Sequence, residues 1–269
     1  MSLQNTGKMR RKIEEMKALV FNPHDDDGVI AMGGTLIQLL DKGWKIGYIQ
    51  FTDGRHGSNI MSPEKTNRVR ALEAKEERKF LGIDYFHAFD VEDGILEKIT
   101  SSEKERIIDK LSSIIKRYKP NVIFLPNKAE GHPDHKATYQ IGREAIEKSG
   151  LKPLEMYYIV WLFPFFKQDP GYFEKVLWIP IDNQFERKKQ AIKLHTSQEE
   201  EGRYSELAEA INTYLSLLYL AYRKRVCSKA EVVAIYKMNE HYESFVNSLE
   251  RVKDVTRVFL GRKEKKIER

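Results

Sequence analysis

The sequence has very little cysteine and no long apolar run. Cys227 is the only cysteine among 269 residues, so no disulfide can form within the chain and a disulfide-stapled secreted fold is excluded. No stretch approaches the roughly 20 consecutive apolar residues that a membrane-spanning helix needs. The N-terminus also lacks an apolar signal region. We therefore expect a protein of the cytoplasm that carries no membrane span.

The excess of positive charge is confined to the two ends of the chain. The formal net charge is +6, and residues 8–17 and 262–269 each contribute +3, which leaves the rest of the chain without net charge. A protein that binds nucleic acid usually carries a basic face on its folded body. Nucleic-acid binding through the basic ends is therefore the weakest of the functions considered, and we expect no nucleic-acid partner.

Apolar, β-branched runs alternate with charged or amphipathic stretches along the chain. We predict strands at residues 18–21, 45–51, 85–91, 122–125, 156–163 and 176–181. We predict helices at residues 8–17, 28–40, 62–81, 102–118, 136–148, 184–195, 199–222 and 239–260. Strands that alternate with helices imply parallel pairing and right-handed crossovers. The pattern therefore predicts an α/β fold whose mostly parallel sheet is covered by helices.

No linker marks a second domain, so we predict one α/β domain over residues 1–269. Its core is expected at residues 17–200, and a helical extension is predicted over residues 201–269. The C-terminal part of the fold is expected to be a smaller portion of strands and helices beside the mostly parallel sheet. A chain of this length is long enough for one substantial hydrophobic core.

Two short clusters of histidine and aspartate follow predicted strands about a hundred residues apart. The first cluster is residues 24–27, His-Asp-Asp-Asp, and the second cluster is residues 132–135, His-Pro-Asp-His. In an open α/β sheet, ligands bind at the carboxyl ends of the strands. Neutral imidazole and carboxylate are the usual ligands of a catalytic zinc, with one position left to water. We therefore predict a metal-dependent hydrolase, although iron(II), manganese and nickel stay open as alternatives to zinc.

In the first cluster, the spacing favours a shared metal. His24 and Asp27 are three residues apart where a strand turns into a helix, which lets both side chains curl around one point. Asp26, between them, is then placed to face the cavity and to contact a metal-bound water. Negative charge at this position also suits the N-terminus of the following helix.

In the second cluster, a proline stiffens the loop. Pro133 holds His132 and His135 on a short tether. Asp134 is placed to fix the tautomer of one of these histidines. Each cluster alone is weak support for a metal site, but two of them at the strand ends of one sheet favour a shared ion.

A series of further motifs accompanies the two clusters in chain order. They are His24-x-Asp26-Asp27, Gly33-Gly34-Thr35-Leu36, Thr52-Asp53-Gly54, Arg70-x-x-Glu73, Leu81-Gly82, His132-Pro133-Asp134-His135 and His195-Thr196-Ser197-Gln198. This series resembles the PIG-L/LmbE-type zinc N-deacetylases over about residues 18–200. The resemblance implies a Rossmann-like α/β sandwich and the removal of acetyl groups from N-acetylglucosamine-type sugars or their conjugates.

The resemblance also implies roles for residues of both clusters. It makes His24, Asp27 and His135 the ligands of one zinc ion per subunit. It makes Asp26 the general base that activates water, and His132 the acid that protonates the departing amine. The substrate is then a small N-acetylated sugar, and the protein is expected to form a homo-oligomer.

Three more roles and two departures follow from the same resemblance. Asp134 would orient the acid, while Arg70 and Asp93 would contact the substrate. The family pattern has proline where this chain has Asp25, and glutamate where it has Gly28. Neither change alters a predicted ligand or the predicted base.

A second enzyme class stays open alongside the deacetylase. The same kind of metal site is expected to support a hydratase that adds water to an unsaturated carboxylic acid. Release of acetate from N-acetylglucosamine compounds distinguishes the two activities. The loops expected around the metal, residues 55–66, 92–100 and 164–175, carry no pattern that identifies the particular sugar.

Overall fold

The computed structural model describes residues 15–128, 130–160, 175–250 and 255–256. The strands are β1 (Lys17–Asn22), β2 (Lys45–Thr52), β3 (Tyr85–Val91), β4 (Val122–Pro126), β5 (Leu154–Tyr158), β6 (Lys175–Pro180), β7 (Ala230–Ile235) and β8 (Val255–Thr256). The helices are α1 (Asp27–Asp41), α2 (Pro63–Leu81), α3 (Ser101–Tyr118), α4 (Pro133–Ser149), α5 (Phe185–Lys193), α6 (Thr196–Gly202), α7 (Tyr204–Arg223) and α8 (Tyr242–Asn247), with a 3-10 turn at Leu96–Lys98.

The strands form one eight-stranded sheet in the order β3-β2-β1-β4-β5-β7-β6-β8. Strands β1 to β5 pair in parallel, whereas β7 is antiparallel to both β5 and β6, and β8 is antiparallel to β6. The predicted α/β fold with a mostly parallel sheet is confirmed.

Helices cover both faces of the sheet because the central strands are apolar on both sides. Ala18 and Val20 of β1 face a core built with α1, α5 and α7, while Leu19 and Phe21 face a core built with α3 and α4. These four side chains are completely buried, as expected for the strands of a parallel sheet that is covered twice.

The strand order reverses direction at β1, which lies between β2 and β4. The chain runs outward from β1 to β3 and then returns to the other side of β1. A crevice opens at the carboxyl ends of the strands at such a switch point. The first cluster follows β1 and the second follows β4, so the topology brings both clusters to this crevice.

Several predicted elements differ from the structure. The predicted helix at 199–222 is two helices, because Arg203 between α6 and α7 adopts a left-handed conformation with φ of 50°. The predicted helix at 239–260 is only the six residues of α8 within the described part of the chain. The predicted helix at 8–17 lies mostly outside the described residues, as do residues 161–163 of a predicted strand.

The largest difference concerns residues 201–269, which were predicted to be helical. The structure places a strand there: β7 lies inside the sheet between β5 and β6. Its sequence is Ala-Glu-Val-Val-Ala-Ile. Because the charged Glu231 interrupts the apolar run, the hydrophobicity pattern does not indicate a buried strand here. Within the described part of the chain, no helix combines the length and the apolar character needed to cross a membrane.

Candidate metal centre and active site

The first cluster is a tight connection between β1 and α1. The backbone carbonyl of Pro23 accepts hydrogen bonds from the N–H and the hydroxyl of Thr52, at 3.0 and 2.8 Å. These bonds tie the turn to the end of the neighbouring strand β2. Asp26 is the N-cap residue of α1 and Asp27 is its first residue. The turn therefore gathers three successive carboxylates, from Asp25 to Asp27, beside His24 at the N-terminus of a helix.

The three predicted metal ligands converge on one carboxylate oxygen. Oδ2 of Asp27 lies 3.2 Å from Nδ1 of His24 and 3.3 Å from Nε2 of His135. In a tetrahedral zinc site with bonds of about 2.0 to 2.1 Å, neighbouring ligand atoms are about 3.3 to 3.4 Å apart. The distances from Asp27 to the two histidines therefore fit those between ligands of one zinc ion. Among the described residues, the groups of ligand atoms that all lie within 4.8 Å of one another are His24, His132 and His135, and His24, Asp93, His132 and Asp134; Asp27 belongs to neither group.

The charges of this group favour an anionic aspartate. Burial disfavours the Asp27 carboxylate, but His135 and His24 outweigh it and hold its pKa well below the usual range. Burial likewise opposes protonation of His135, but Asp27 raises the pKa of that imidazole to about 9. Asp27 also raises the pKa of His24, again against the effect of burial. A cation is stabilised at this point, whether it is a proton on an imidazole or a metal ion.

Carboxylates also lie behind the two histidines predicted to be ligands. Nε2 of His24 is 3.0 Å from Oδ1 of Asp93, and Nδ1 of His135 is 3.7 Å from Oε2 of Glu130. Metal-binding histidines commonly direct their second nitrogen at a carboxylate, which fixes the tautomer and the ring orientation. Nδ1 of His135 is buried and has no hydrogen-bond partner among the described residues. The donor set and its surroundings fit a divalent metal.

His132 lies beside the ligands but makes different contacts. Its ring centroid is 4.8 Å from that of His24, and its Nδ1 accepts a hydrogen bond of 3.2 Å from the backbone N–H of Asp134. A neutral ring that accepts at Nδ1 carries its proton on Nε2. Burial and the neighbouring histidines lower the pKa of His132. The neutral ring therefore presents its Nε2–H group as a hydrogen-bond donor.

The structure changes how the contact between Asp134 and His132 is made. The prediction was that Asp134 would orient His132 through its side chain, but the contact is made by the backbone N–H. The completely buried carboxylate instead accepts hydrogen bonds from the N–H groups of Gly94 and Leu96, at 2.7 and 3.0 Å. This occurs because α4 begins next to the loop after β3. Asp134 thereby joins the second cluster to the loop that carries Asp93.

Asp93 and Arg70, both predicted to contact substrate, are engaged by protein groups. The carboxylate oxygens of Asp93 contact Nε2 of His24 and the backbone N–H of His56. The guanidinium of Arg70 donates to both oxygens of Asp25 and, from Nη2 at 3.1 Å, to Oδ1 of Asp26. Arg70 is only 3% exposed. Both residues thus hold other site residues in place, and their contact with substrate stays a prediction.

The carboxylate predicted to act as base has a mixed environment. Burial raises the pKa of Asp26, and the adjacent charge of Arg70 opposes that shift. Asp25 and Asp27, the neighbouring carboxylates, add to the rise. The arrangement holds Asp26 closer to the protonated form than an exposed aspartate, which suits a group that must accept and release a proton.

Sequence reasoning missed several residues that support this arrangement. Gln198 accepts a hydrogen bond of 3.2 Å from Nη1 of Arg70 and donates to the carbonyl of Gly57. The backbone N–H and the hydroxyl of Ser197 both donate to Glu73 of α2, each at 2.7 Å. Glu73, Ser197 and Gln198 all belonged to quoted motifs, so their presence was visible, but the spatial link between α2 and α6 was not.

Glu130 and Asp25 were also missed as contributors. Glu130 lies two residues before His132. Its nearness to the second cluster was the only feature of the sequence that could have indicated its role. Asp25 stands out only as a departure from the family pattern. The other departure, Gly28, has a steric reason, since a Cβ at this position would lie 2.6 Å from Oδ1 of Asn22.

The fold and this cluster define an α/β protein with a candidate metal site at the switch point of its sheet, and comparisons with known proteins identify its family. The family model described as PIG-L: GlcNAc-PI de-N-acetylase matches residues 19–146. The diacetylchitobiose deacetylase of Thermococcus kodakarensis is 30% identical over 222 residues, which cover 77% of this chain and 78% of that protein. The chain belongs to the PIG-L de-N-acetylase family, and it is an amide-hydrolysing enzyme.

One further relative in sequence and one protein of similar fold extend the comparison. The probable N-acetyl-alpha-D-glucosaminyl L-malate deacetylase 2 of Bacillus cereus is 29% identical over 198 residues, which cover 69% of this chain and 85% of that protein. The crystal structure of 4-carboxy-2-hydroxymuconate hydratase from Pseudomonas putida matches with a TM-score of 0.69 at 16% identity, covering 83% of this chain and 97% of that one. At that identity the second likeness concerns the fold alone.

Proposed function

We propose that this protein is a zinc-dependent deacetylase that hydrolyses the acetamide of an N-acetylated amino sugar or its conjugate. The observation that carries this proposal is the convergence of His24 Nδ1 and His135 Nε2 on one oxygen of Asp27. His132 lies alongside, in a group with His24 and His135 whose ligand atoms are all within 4.8 Å of one another. Deacetylation of sugars is also the activity named for the two curated relatives.

In this proposal His24, Asp27 and His135 hold the zinc ion. When bound, zinc lowers the pKa of a water ligand toward about 7 and polarises a carbonyl group. Asp26 accepts the proton of the attacking water at its carboxylate. Arg70 keeps that carboxylate in one orientation through the contact of 3.1 Å between Nη2 and Oδ1.

His132 is the proton donor in the second half of the reaction. Donation requires the imidazolium form, so His132 takes up a second proton before it acts; it then gives one proton to the amide nitrogen as the bond to the acetyl group breaks, and the ring returns to its neutral form. The sugar leaves as a free amine and the acetyl group as acetate, and the proton that Asp26 took from water balances the one that His132 gave up. In the resting neutral ring, the hydrogen bond from the backbone N–H of Asp134 to Nδ1 places the proton on Nε2. Asp93 holds the His24 ring through a contact of 3.0 Å, and the carboxylate of Glu130 lies 3.7 Å behind the His135 ring.

The proposal is tested by measuring metal content and product release on the same preparation. We expect about one zinc ion per chain, with acetate and free amine released in equal amounts from N,N′-diacetylchitobiose or another N-acetylglucosamine compound. Removal of zinc with a chelator should abolish the release, and stoichiometric zinc should restore it. The absence of acetate from every amide tested would contradict the proposal, and turnover of an unsaturated carboxylic acid in the same preparation would favour a hydratase.

We also propose that the protein forms a homo-oligomer. Helix α7 exposes large apolar side chains to solvent, among them Tyr214 at 53%, Leu217 at 59% and Tyr222 at 71% exposure. Contiguous exposed apolar surface commonly marks a protein interface. Light scattering on purified protein should give a mass that is a multiple of 31.5 kDa, and Leu217→Glu should reduce that multiple. A monomer in both cases would contradict the proposal.

A further inference from the structure

We propose that Asp25 makes this active site selective for neutral N-acetyl sugars over substrates that carry a carboxylate or a phosphate. It does so by neutralising Arg70, the arginine that lies against the catalytic carboxylate. This inference rests on the proposed deacetylase function and names the substrate class of the same site.

The carboxylate of Asp25 compensates the positive charge of Arg70. Nε of Arg70 lies 3.0 Å from Oδ1 and 3.3 Å from Oδ2 of Asp25, and Nη2 contacts the same Oδ1. The Arg70 and Asp25 side chains are only 4% and 1% exposed. Charge-assisted contacts of this bidentate type are among the strongest hydrogen bonds in proteins. An anionic substrate group would have to displace a buried carboxylate to reach this guanidinium.

The loop after β2 also covers Arg70 from above. A Cβ on Gly54 would lie 2.9 Å from Nε of Arg70, and a Cβ on Gly57 would overlap Nη1. The backbone of this loop thus lies against the guanidinium. Arg70 is positioned to hold Asp26 and Gln198, and it is not presented to the crevice as an anion-binding group.

Arg55, in the loop after β2, is paired as well. Nε and Nη2 of Arg55 lie 2.7 and 2.6 Å from Oδ2 of Asp53, and Nη1 lies 3.3 Å from Oε2 of Glu92. The carboxylate of Asp53 is itself buried, and it accepts the backbone N–H of Asp93. Both arginines at the site are therefore already neutralised by carboxylates of the protein.

Carboxylates dominate the charge of the site. Among the described residues, the buried carboxylates joined to the predicted ligands or to these arginines are Asp25, Asp26, Asp27, Asp53, Asp93, Glu130 and Asp134. Two arginines and one divalent ion leave this group net negative when the histidines are neutral. Such a field repels an anion, whereas the hydroxyl groups of a neutral sugar can donate hydrogen bonds to carboxylates.

The wild-type enzyme tests the inference directly with two substrates of the classes named for its relatives. N,N′-diacetylchitobiose is neutral, and N-acetylglucosaminyl malate carries two carboxylates. We expect kcat/KM to be at least about tenfold higher for the neutral substrate, the ratio that corresponds to one charged hydrogen bond. Because repulsion is screened by salt, raising the ionic strength should lower KM for the malate compound and leave KM for chitobiose unchanged.

A substitution then assigns the selectivity to Asp25. Asp25→Asn removes one negative charge and keeps the shape of the side chain, so it should lower KM for the malate compound relative to chitobiose by about tenfold. Asp41→Asn is the matched control, since Asp41 pairs with Arg187 on the surface at the far end of α1, and this variant should leave the ratio unchanged.

The outcomes separate the inference from the function on which it rests. Equal or better turnover of the malate compound by the wild-type enzyme would overturn the inference and leave the deacetylase function intact. A substrate ratio that is the same in Asp25→Asn as in wild type, with both proteins folded, would overturn the role of Asp25. The absence of acetate from both substrates would overturn the proposed function and the inference together.

Discussion

Lys188 and Glu231 form an ion pair in the interior of the protein. Nζ of Lys188 lies 2.7 Å from Oε1 of Glu231, and neither side chain has any exposed surface. The same carboxylate accepts the backbone N–H groups of Gly34 and Thr35, at 2.9 and 2.7 Å. Strand β7 and helix α5 are thereby joined to α1, the helix that begins with a predicted metal ligand. Residues far along the chain thus fix the element that carries the first cluster.

Removal of the lysine should be strongly destabilising. We expect Lys188→Met to lower the free energy of unfolding by about 3 kcal/mol or more, because it leaves a buried carboxylate without its counter-charge. Urea unfolding measures the change. Lys189→Met is the matched control: the neighbouring lysine pairs with Glu209 at 2.6 Å near the surface, and its loss should cost less than about 1 kcal/mol. Equal effects in the two variants would contradict a special role for the buried pair.

Two substitutions at the proposed metal site should separate binding from catalysis. His135→Ala removes a proposed ligand, so we expect it to purify with much less zinc than wild type. Asp26→Asn keeps the three proposed ligands, so its zinc content should stay near that of wild type while kcat falls by about a hundredfold or more. Metal analysis and an acetate assay on the same samples check both statements. Stoichiometric zinc in His135→Ala would exclude His135 as a ligand.

Much of the fold could be predicted from the sequence because the parallel part of the sheet has a clear pattern. The predicted strand at 85–91 matches β3, and Gly82 ends α2 in the left-handed conformation that its position suggested. The antiparallel part was less visible. Strand β7 contains Glu231, and only its contact with Lys188 of α5 explains how a charged residue can lie in the centre of a sheet.

The candidate site could be predicted as a set of residues but not as a set of contacts. The two clusters after predicted strands indicated one shared site, and the family resemblance implied His24, Asp27 and His135 as its ligands. The engagement of Arg70 by Asp25 was not predictable, because it depends on how α2 packs against the turn after β1. The same holds for Asp134, whose backbone rather than side chain contacts His132.

The glycine above Arg70 provides a test of how the base is held. A Cβ at Gly57 would overlap Nη1 of Arg70, so Gly57→Ala should push the guanidinium away from Asp26 and Gln198. We expect kcat to fall by about tenfold or more, since small displacements of catalytic groups have large effects on rate. Zinc content should not change. Ile60→Ala, in the same loop with a side chain that is 78% exposed, should retain full activity; equal kcat in both variants would show that Arg70 does not hold the base.

Glu77 of α2 should make the stability of the protein depend on pH. The side chain is completely buried, its Oε1 is 3.3 Å from the hydroxyl of Tyr48, and its Oε2 has no hydrogen-bond partner among the described residues. Burial raises the pKa of Glu77 to about 8, from a value of 4.5 for an exposed glutamate. Between these two values the folded protein binds a proton that the unfolded chain has released. The contribution of this group to stability is therefore greatest below about pH 4.5 and is lost as the pH rises toward 8.

The glutamine variant isolates this contribution. Glu77→Gln keeps the size of the side chain and cannot ionise, so the difference in unfolding free energy between variant and wild type should grow in favour of the variant as the pH rises from 5 to 8. The slope of that difference is at most about 1.4 kcal/mol per pH unit. Glu76→Gln, at an exposed neighbouring position 3.8 Å from Lys79, should run parallel to wild type. Urea unfolding of the metal-free proteins at several pH values measures both differences, and a constant offset for Glu77→Gln would mean that the Glu77 carboxyl ionises in the folded protein as it does in the unfolded chain.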